Sequence, residues 1–526
     1  MLITMYLKRF RLLALVVIIP VLGMVLSSCT GDLNTNPIDK KVVTSASAYK
    51  TPQKYRQVLA KLYAGFATTG QQGPAGEPDI QGIDEGFSSY LRQYWVCQEL
   101  PTDEAVVAWN DPGLPQFNFQ SWGASNDFVM GMYDRIYYEI TMTNEFIRHA
   151  EKSSDIQVKE YMAEARFLRA LSYWHALDLF GGKVPFVTEK NGVGAYLPKP
   201  ISSDSLFNYI TSELKDVAQQ LPDPHQNEYG RVDKGAAWTL LAKVYLNANV
   251  YIGKPKYTEC ITYAKKVIDS GAYTLDSSYQ HLFEADNNTA KGIIFAIPFD
   301  GTHTQTYGGT NYIIHAEVGG SMDPKKFGID GGWGGNRVTP QFVDMFDLQN
   351  DSRAMFYTSG QTKDVKDVHD FTNGYAVTKW TNMTSTGTAG KNASFADTDF
   401  PMFRLADVYL MYAEAVLRGG SGGDISTALN LVNKVRERAY GGTSGDITQN
   451  QLTLDFILNE RGREFYWEGY RRTDLIRFGK YTGSSYVWSW KGNIENGRGT
   501  DSHYQIFPIP TSDIISNPNL KQNPGY

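Results

Sequence analysis

Three aromatic residues lie in polar or glycine-rich sequence, away from the aliphatic runs that build a core. Trp109 is followed by Asn-Asp-Pro-Gly, Tyr307 by two glycines, and Trp333 stands between glycines. The apolar face of a pyranose ring stacks on an aromatic ring, while its hydroxyl groups need amide, carboxylate or guanidinium partners. Packing within the protein is the simpler explanation of each aromatic taken singly. When the three aromatics are considered together, packing within the protein and sugar binding are equally favoured as explanations.

Residues typical of catalytic or metal sites are sparse. The eight histidines are scattered, and the sequence contains neither a His-Glu-x-x-His motif nor a Cys/His cluster with metal-ligand spacing. Residues 419–423 match Gly-x-Ser-x-Gly, but a nucleophile elbow follows a strand and here a helix is predicted, so a turn is favoured. Asp-Asn-Asn at 286–288 fits a solvated turn better than a calcium site. The sequence predicts no catalytic residue, no metal site and no cofactor.

Three carboxylates recur every fourth residue and are expected to share one helix face: Glu460, Glu464 and Glu468. A glycosidase needs two carboxyl groups across a sugar-sized gap, one of them with a raised pKa. Here the acids are interleaved with arginines. These arginines are Arg461, Arg463, Arg471 and Arg472. The pattern favours a structural ion-pair network over a catalytic pair.

The chain begins with a cationic stub and an apolar run that ends at Cys29. Residues 12–26 are almost wholly apolar, but this run is shorter than the roughly 20 residues that span a bilayer. The pattern is typical of a secretory signal. A cysteine directly after the junction indicates a bacterial lipoprotein signal, residues 1–28, that is cleaved before Cys29. Cys29 would carry lipid and anchor the protein to a membrane through a polar tether, residues 29–47.

The composition argues against nucleic-acid binding. The formal net charge is −6, and no basic tract is present that could neutralise phosphates. Cys97 and Cys260 could form a disulfide, which the sequence leaves open. Two buried thiols are the simpler interpretation, because a chain of 526 residues can build its own core.

Hydrophobic periodicity predicts helices on both sides of a loop-rich centre. Single helices are expected at about 52–66, 127–150 and 154–180. The last of these is expected to end in a left-handed glycine cap at Gly181. Residues 234–270 and 405–439 each indicate helix, turn and helix, with the length of a tetratricopeptide-type unit.

Two stretches rich in Gly, Asn and Asp, residues 67–125 and 275–400, indicate surface loops and an irregular insertion with short strands such as 292–297. Loops of this length are usually functional, so the binding surface is expected there. The predicted fold class is mainly α, a helical-pair scaffold carrying a loop-rich insertion. It forms one domain, 48–526, with helical repeats at about 48–66, 127–275 and 401–480.

Several blocks occur in a fixed order along the chain. They are Glu-Ala-Arg-Phe-Leu-Arg-Ala at 164–170 with Leu-Phe-Gly-Gly at 179–182, Gly-Arg-Val-Asp-Lys-Gly-Ala-Ala at 230–237, Arg-Leu-Ala-Asp-Val-Tyr at 404–409, Asn-Glu-Arg-Gly-Arg-Glu-Phe at 459–465, and Phe-Pro-Ile-Pro at 507–510 with the tail 517–526. Together they resemble the SusD/RagB lipoproteins of Bacteroidota, and the resemblance runs from Cys29 to the C terminus.

This resemblance implies a lipid-anchored protein of the outer membrane, at the cell surface, that binds nutrient oligomers. It also implies a SusC-like TonB-dependent transporter as partner, over which the protein lies as a lid, and a fold of about four tetratricopeptide-like helix pairs. Starch-binding members hold their ligand in an aromatic arc of loop residues. The corresponding residues here, by order and context, are Trp109, Tyr307 and Trp333, with Arg92, Asn110 and Asp111 as polar partners.

We therefore expect a non-enzymatic glycan-binding protein that delivers oligosaccharide or polysaccharide to a transporter. An α-glucan is the first expected ligand, with xylan or another plant or host glycan next. Three alternatives stay open. They are a RagB-like peptide-binding uptake protein, a repeat scaffold for envelope proteins, and a hydrolase with an unrecognised carboxylate pair.

Overall fold

The computed structural model describes residues 44–192, 194 and 196–526. The predicted signal, the lipidation site Cys29 and residues 29–43 of the tether lie outside the described residues. The residues from Tyr55 to Tyr526 form one compact unit, and residues 44–54 belong to a separate one. The predicted domain start at residue 48 stays a prediction.

Helices make up most of the ordered structure. The longer ones are α1 (Pro52–Ala64), α2 (Tyr90–Glu99), α3 (Asp127–Ala150), α4 (Ile156–Phe180), α5 (Ser203–Gln220), α6 (Lys234–Leu246), α7 (Tyr257–Asp269), α8 (Gly309–Glu317), α9 (Leu405–Leu417), α10 (Ile425–Tyr440), α11 (Leu454–Phe465) and α12 (Arg471–Arg477). Shorter helices lie at Ser45–Ala48, Pro115–Phe119, Ala248–Ile252, Pro340–Val343 and Thr511–Ser516. Asn126, Asp155 and Asp233 cap α3, α4 and α6 by accepting hydrogen bonds from N–H groups of the first turn.

The helices pack against one another largely in chain order. Contacts run from α3 to α4, α5, α6 and α7, and continue from α7 to α9 and α10. The two predicted helix pairs are confirmed as α6 with α7 and α9 with α10, and residues 419–423 form the turn of the second pair. The mainly α fold class is therefore confirmed. Gly181 ends α4 with φ 73° and ψ −159°, so its φ is positive as expected but its conformation is not left-handed helical.

The carboxylates Glu460, Glu464 and Glu468 lie buried in an ion-pair cluster, as predicted. However, α11 ends at Phe465, so Glu468 follows the helix instead of sharing its face. Of the four arginines predicted to pair with these carboxylates, only Arg463 does so, and its partner is Glu460. The other cations of the cluster are Arg353, Lys379, Arg404, Arg436 and Arg438. Arg461 pairs with Asp407 and Asp474, Arg471 with Asp103, and Arg472 with Asp178.

Residues 275–400 contain short strands, as predicted. The strands of the described chain are β1 (Gly70–Gln72), β2 (Gly76–Pro78), β3 (Val106–Val107), β4 (Ile293–Ile297), β5 (Asn336–Arg337), β6 (Phe356–Tyr357), β7 (Ala376–Val377) and β8 (Phe400–Arg404). They form four antiparallel pairs, β1 with β2, β3 with β5, β4 with β8 and β6 with β7. Because β8 runs directly into α9, the buried β4–β8 pair attaches this insertion to the helical array.

The expectation of surface loops across 67–125 is wrong for its middle part. Helix α2 lies there, and nine of its ten residues are buried. The ring of Trp95 packs edge-on against Trp467 with 5.4 Å between ring centroids. A helix buried on every side has no amphipathic stripe, so hydrophobic periodicity could not predict it.

Both described cysteines, Cys97 and Cys260, are buried free thiols, which confirms the simpler interpretation. Residues 286–288 belong to a tight turn in which the buried Asn287 amide donates to two main-chain carbonyl oxygens. Among residues 44–192, 194 and 196–526, no group of His, Cys, Asp or Glu side chains is arranged to hold a metal ion. None of the helices in this part of the chain has the length and apolarity needed to cross a membrane.

Candidate functional site

The pairing of β3 with β5 brings two distant loops together. Val106 lies opposite Arg337 and Val107 opposite Asn336, and the ladder continues with Ala108 N–H donating to the Gly335 carbonyl at 2.8 Å. This places the loop that starts at Trp109 beside the glycine-rich loop 331–335.

Arg337 holds this junction from inside. Its guanidinium is fully buried and donates to the carbonyl oxygens of Gly335 at 3.0 Å and Val368 at 2.8 Å. Burial lowers the pKa of Arg337 to about 9, although Asp370 and Asp367 act in the opposite direction. The group still carries its charge at neutral pH, and the surrounding carbonyl dipoles replace the water that it lost.

The glycine-rich loop is fixed to the end of α8. Trp333 N–H donates to the His315 carbonyl at 2.7 Å, and Gly335 N–H donates to the Ala316 carbonyl at 2.8 Å. The imidazole of His315 lies against the indole of Trp333, with 4.7 Å between centroids and 34° between planes. Burial lowers the pKa of His315, so this supporting ring is neutral at neutral pH.

The three predicted aromatics meet here. Ring centroids of Trp109 and Trp333 lie 6.3 Å apart, and those of Tyr307 and Trp333 lie 6.4 Å apart. The indole N–H of Trp109 donates to the Trp333 carbonyl at 3.1 Å. Gly335 makes this approach possible, because a Cβ atom there would lie 2.6 Å from Cε2 of Trp109. The rings are thus oriented by main-chain contacts as well as by packing.

Arg92 connects α2 to this aromatic cluster. Its Nη1 donates to the carbonyl oxygens of Gly86 at 2.7 Å and Tyr307 at 3.2 Å. The guanidinium lies 4.4 Å from the Tyr312 ring centroid and 5.8 Å from that of Trp109. Burial lowers the pKa of Arg92, and nearby Asp111 is among the groups that oppose this shift. Arg92 therefore fixes the main chain at Tyr307 and contributes a positive charge.

A cavity of about 470 Å³ opens in front of this cluster. Four predicted residues line it, namely Arg92, Asp111, Tyr307 and Trp333. Tyr307 is 38% exposed, which is high for a large aromatic side chain. Trp109 is half-buried against Trp333, and Asn110 is exposed in the same loop; neither lines the cavity.

Sequence reasoning missed several residues at this cavity. These are Asp84, Phe87, Asp127 and Phe128 in its wall, and Tyr312, His315 and Phe395 among the packed rings. Asp127 is the first residue of α3, a position where an acid is common for helix stability alone. The chain around Asp84 likewise gives no local signal beyond its polarity.

The cavity combines exposed ring faces with carboxylates and a guanidinium. Aromatic faces accept the apolar side of a flat ligand, carboxylates accept hydrogen bonds from hydroxyl groups, and the guanidinium donates. Asp84, Asp111 and Asp127 outnumber Arg92, so the cavity carries net negative charge. This combination suits a neutral, hydroxyl-rich ligand better than an acidic one.

Comparison with known proteins agrees with the fold and the sequence blocks. Residues 355–526 match a family model described as the SusD family, and residues 49–246 match one described as starch-binding associating with outer membrane. The starch-binding protein SusD of Bacteroides thetaiotaomicron is 37% identical, with 99% of this chain and 100% of that protein covered. A SusD-like protein of Bacteroides ovatus is 25% identical, with 79% of this chain and 84% of that protein covered.

Solved structures share the architecture at lower identity. Surface glycan-binding protein A from Bacteroides fluxus gives a TM-score of 0.71 at 22% identity, covering 90% of this chain and 100% of that one. Surface glycan-binding protein A from Bacteroides thetaiotaomicron, solved with laminarihexaose, gives a TM-score of 0.68 at 21% identity, covering 90% and 99%. At these identities the likeness establishes the fold alone. The full-length match at 37% identity, together with the family models, means that this chain belongs to the SusD family.

Proposed function

We propose that this protein binds glycans at the cell surface, with an α-glucan of the starch type as its ligand. The observation that carries the proposal is the cavity of about 470 Å³ in which Tyr307 and Trp333 present ring surface beside three carboxylates and Arg92. The relative with 37% identity is named a starch-binding protein, which favours α-glucan over xylan. The net negative charge of the cavity favours a neutral polysaccharide over a uronic-acid or sulfated one.

The residues proposed to contact sugar inside the cavity are Tyr307 and Trp333 by stacking, and Arg92 and Asp111 by hydrogen bonding. To these the geometry adds Asp84, which lines the same cavity. Trp109 and Asn110 do not line the cavity, and we propose that they contact sugar units that extend beyond it. Each aromatic stack is worth about 1 kcal/mol beyond area burial, so a single site is expected to bind modestly. Many copies on one cell would then hold a polysaccharide by avidity.

We further propose that the chain is anchored in the outer membrane through lipid on Cys29 and passes glycan to a SusC-like TonB-dependent transporter. Family membership supports both steps. Cys29→Ala is expected to move the protein from the membrane fraction to the soluble fraction, while Ser28→Ala, which keeps a small residue at the cleavage junction, leaves it in the membrane fraction. Co-purification of a TonB-dependent transporter with the membrane-anchored protein tests the partnership.

The absence of catalysis is part of the proposal. Glu460, Glu464 and Glu468 each accept hydrogen bonds from buried cations. The surrounding arginines lower the pKa of Glu464 to about 2 even though burial acts to raise it. A general acid needs a raised pKa, so this cluster is unsuited to glycoside hydrolysis. Incubation with oligosaccharides, followed by chromatography, is expected to return the substrates intact.

Native affinity electrophoresis tests ligand binding directly. Full-length protein is run in a non-glycosidic detergent through gels containing starch, xylan or no polysaccharide. Retardation in starch is expected for the native protein and for Trp238→Ala, a partly exposed tryptophan on α6 outside the cavity. Trp333→Ala is expected to be retarded much less than the native protein. Retardation of Trp333→Ala equal to that of the native protein would refute the site, and no retardation of the native protein in any glycan would refute the function.

A further inference from the structure

A second cavity of similar size, about 470 Å³, lies in the loop-rich part of the chain. The residues that matter for its chemistry are Tyr229, Asn288, Asp300, Lys391, Asp397 and Asp399. They come from the connection between α5 and α6 and from residues 285–300 and 384–399. The cavity shares no lining residue with the first one.

Tyr229 gives this cavity an exposed aromatic wall. Its side chain is 47% exposed, although its hydroxyl group donates to Oδ2 of Asp399 at 2.7 Å. The neighbouring Gly230 lies so close to Pro298 that a Cβ atom at Gly230 would be 2.4 Å from Cγ of the proline. The ring is therefore held at its hydroxyl group and at its backbone, while much of its surface faces solvent. A ring that is already held loses little freedom when a ligand stacks on it.

The carboxylates of the cavity are fixed by main-chain donors. Asp399 is 4% exposed, and its Oδ1 accepts from Phe299 N–H at 2.7 Å. Asp397 is 9% exposed and accepts from the N–H groups of Gly301 at 2.8 Å and Lys391 at 2.6 Å. Each carboxylate oxygen has a second lone pair, so these groups can still accept hydrogen bonds from ligand hydroxyls.

The charge of the cavity limits the class of ligand that it can bind. Four aspartates line it, Asp286, Asp300, Asp397 and Asp399, against one cation, Lys391, which pairs with Asp300 at 2.6 Å. This excess of negative charge repels acidic polysaccharides. The amide of Asn288 and the ammonium of Lys391 supply donors for ring and hydroxyl oxygens.

Two phenylalanines, Phe299 and Phe395, contact residues that belong to or adjoin both cavities. Phe299 lines the second cavity and lies against Gly309, just beyond Tyr307 of the first; a Cβ atom at Gly309 would be 2.2 Å from Cζ of Phe299. The ring of Phe395 lies 5.9 Å from that of Tyr307, while the Phe395 carbonyl oxygen lies against Gly301, next to Asp300. Phe395 thus lies between Tyr307 of the first cavity and Gly301 beside the second, although it lines neither cavity.

We propose that the second cavity binds further neutral hexose units of the same glucan chain, with Tyr229 stacking on a sugar ring and Asp397 and Asp399 accepting hydroxyl hydrogen bonds. This inference rests on the proposed function, because it assumes that the first cavity holds the same polysaccharide. Phe395 contacts the chain between the two sites. The protein therefore prefers glucans long enough to occupy both cavities.

The test compares a long and a short ligand. Binding of full-length protein to amylopectin is measured by affinity electrophoresis, and binding to maltotriose by calorimetry. Tyr229→Ala is expected to weaken amylopectin binding about two- to ten-fold, the loss of one aromatic stack, and to leave maltotriose affinity unchanged. Tyr229→Phe retains the ring and is expected to retain most of the binding. Tyr196→Ala removes a tyrosine that is 49% exposed outside both cavities and serves as the matched control.

Each outcome bears on a different claim. Unchanged amylopectin binding by Tyr229→Ala, with folding verified by thermal unfolding, overturns the second site and leaves the first intact. Equal losses for amylopectin and maltotriose overturn it as well, because Tyr229 would then act through the fold or the first cavity. If the native protein binds neither ligand while remaining folded, the proposed function itself fails, and the second site fails with it.

Discussion

Replacement of Glu464 by glutamine tests whether the buried carboxylates of α11 serve structure. Glu464 is fully buried, and its two oxygens accept hydrogen bonds from Arg353, Arg404 and Arg438. These arginines come from a loop, from β8 and from α10, so one carboxylate joins three separate parts of the chain. Glutamine retains the shape of the side chain but leaves three guanidinium groups short of one negative charge.

The magnitude follows from the shifted pKa of Glu464. Burial alone would raise this pKa, but Arg438, Arg404 and Arg353 lower it from 4.5 to about 2. At about 1.4 kcal/mol per pKa unit, the folded state gains roughly 3 kcal/mol from this group at neutral pH. Removal of one partner from a buried ion pair costs about 3–5 kcal/mol in other proteins. We therefore expect Glu464→Gln to lower the free energy of unfolding by about 3–5 kcal/mol at pH 7.

The pH dependence has a definite sign. Because the folded-state pKa is lowered, the stabilisation is complete above about pH 5 and is lost as the pH falls toward 2. The difference between native protein and Glu464→Gln is therefore expected to shrink between pH 5 and pH 3.

Urea unfolding followed by tryptophan fluorescence, at pH 7 and at pH 3, measures both quantities. Glu160→Gln, at an exposed position on α4, is the control and is expected to change the free energy of unfolding by less than about 0.5 kcal/mol. A loss below about 1 kcal/mol for Glu464→Gln at pH 7 would refute the structural interpretation. A loss of stability that grows as the pH falls would also refute it, because that result requires a raised pKa of Glu464, as in a catalytic acid.

Three further predictions concern the site and the thiols. Gly335→Ala is expected to weaken starch binding by at least three-fold, because its Cβ atom would overlap Trp109. Gly331→Ala in the same loop is the control and is expected to bind normally, because its Cβ atom meets no atom within 4 Å. Equal binding by both variants in affinity gels would contradict the proposed support of the Trp109 ring by Gly335. Arg92→Lys is expected to weaken binding roughly ten-fold in calorimetry, because lysine lacks the planar guanidinium that stacks on Tyr312 and its ammonium group is more strongly hydrated and costs more to bury; native-like affinity would exclude Arg92 from the site. Cys97 and Cys260 are expected to resist iodoacetamide until the protein is unfolded, because burial raises the pKa of both thiols, that of Cys97 to about 12. Modification of either thiol in the native protein, detected by peptide mass spectrometry, would contradict their burial.

Local sequence patterns predicted the helices and turns whose formation depends on neighbouring residues. The amphipathic helices α3 and α10 and the turn at 419–423 follow from periodicity and glycine placement. Helix α2 was missed because its burial on every side leaves no stripe to detect. The partners of Glu464 were missed because Arg353 and Arg404 come from distant segments, and nothing in their own surroundings indicates the pairing.

The residues of the candidate site were likewise predicted only where local sequence identified them. Glycine and polar neighbours identified Trp109, Tyr307 and Trp333 as unusual aromatics. Phe128 lines the same cavity only because α3 brings it there, and Asp84 reaches it from the loop that precedes α2. The β3–β5 pair that brings Trp109 to Trp333 joins residues more than 200 positions apart. A pairing of two residues per strand leaves too weak a pattern to predict from one sequence.

The carbonyl shell around Arg337 bears on how such a protein can change its ligand over evolution. Within the described chain, every hydrogen bond from its guanidinium goes to a main-chain oxygen, those of Val106, Gly335, Val368, Asp370 and Asn373. Main-chain oxygens are supplied by any residue type, so side chains in the surrounding loops can be exchanged without removing the attachment. Retention of Arg337 alone would then preserve the loop framework while the ring-bearing and acidic positions change. Such a framework would allow one scaffold to acquire different polysaccharide ligands.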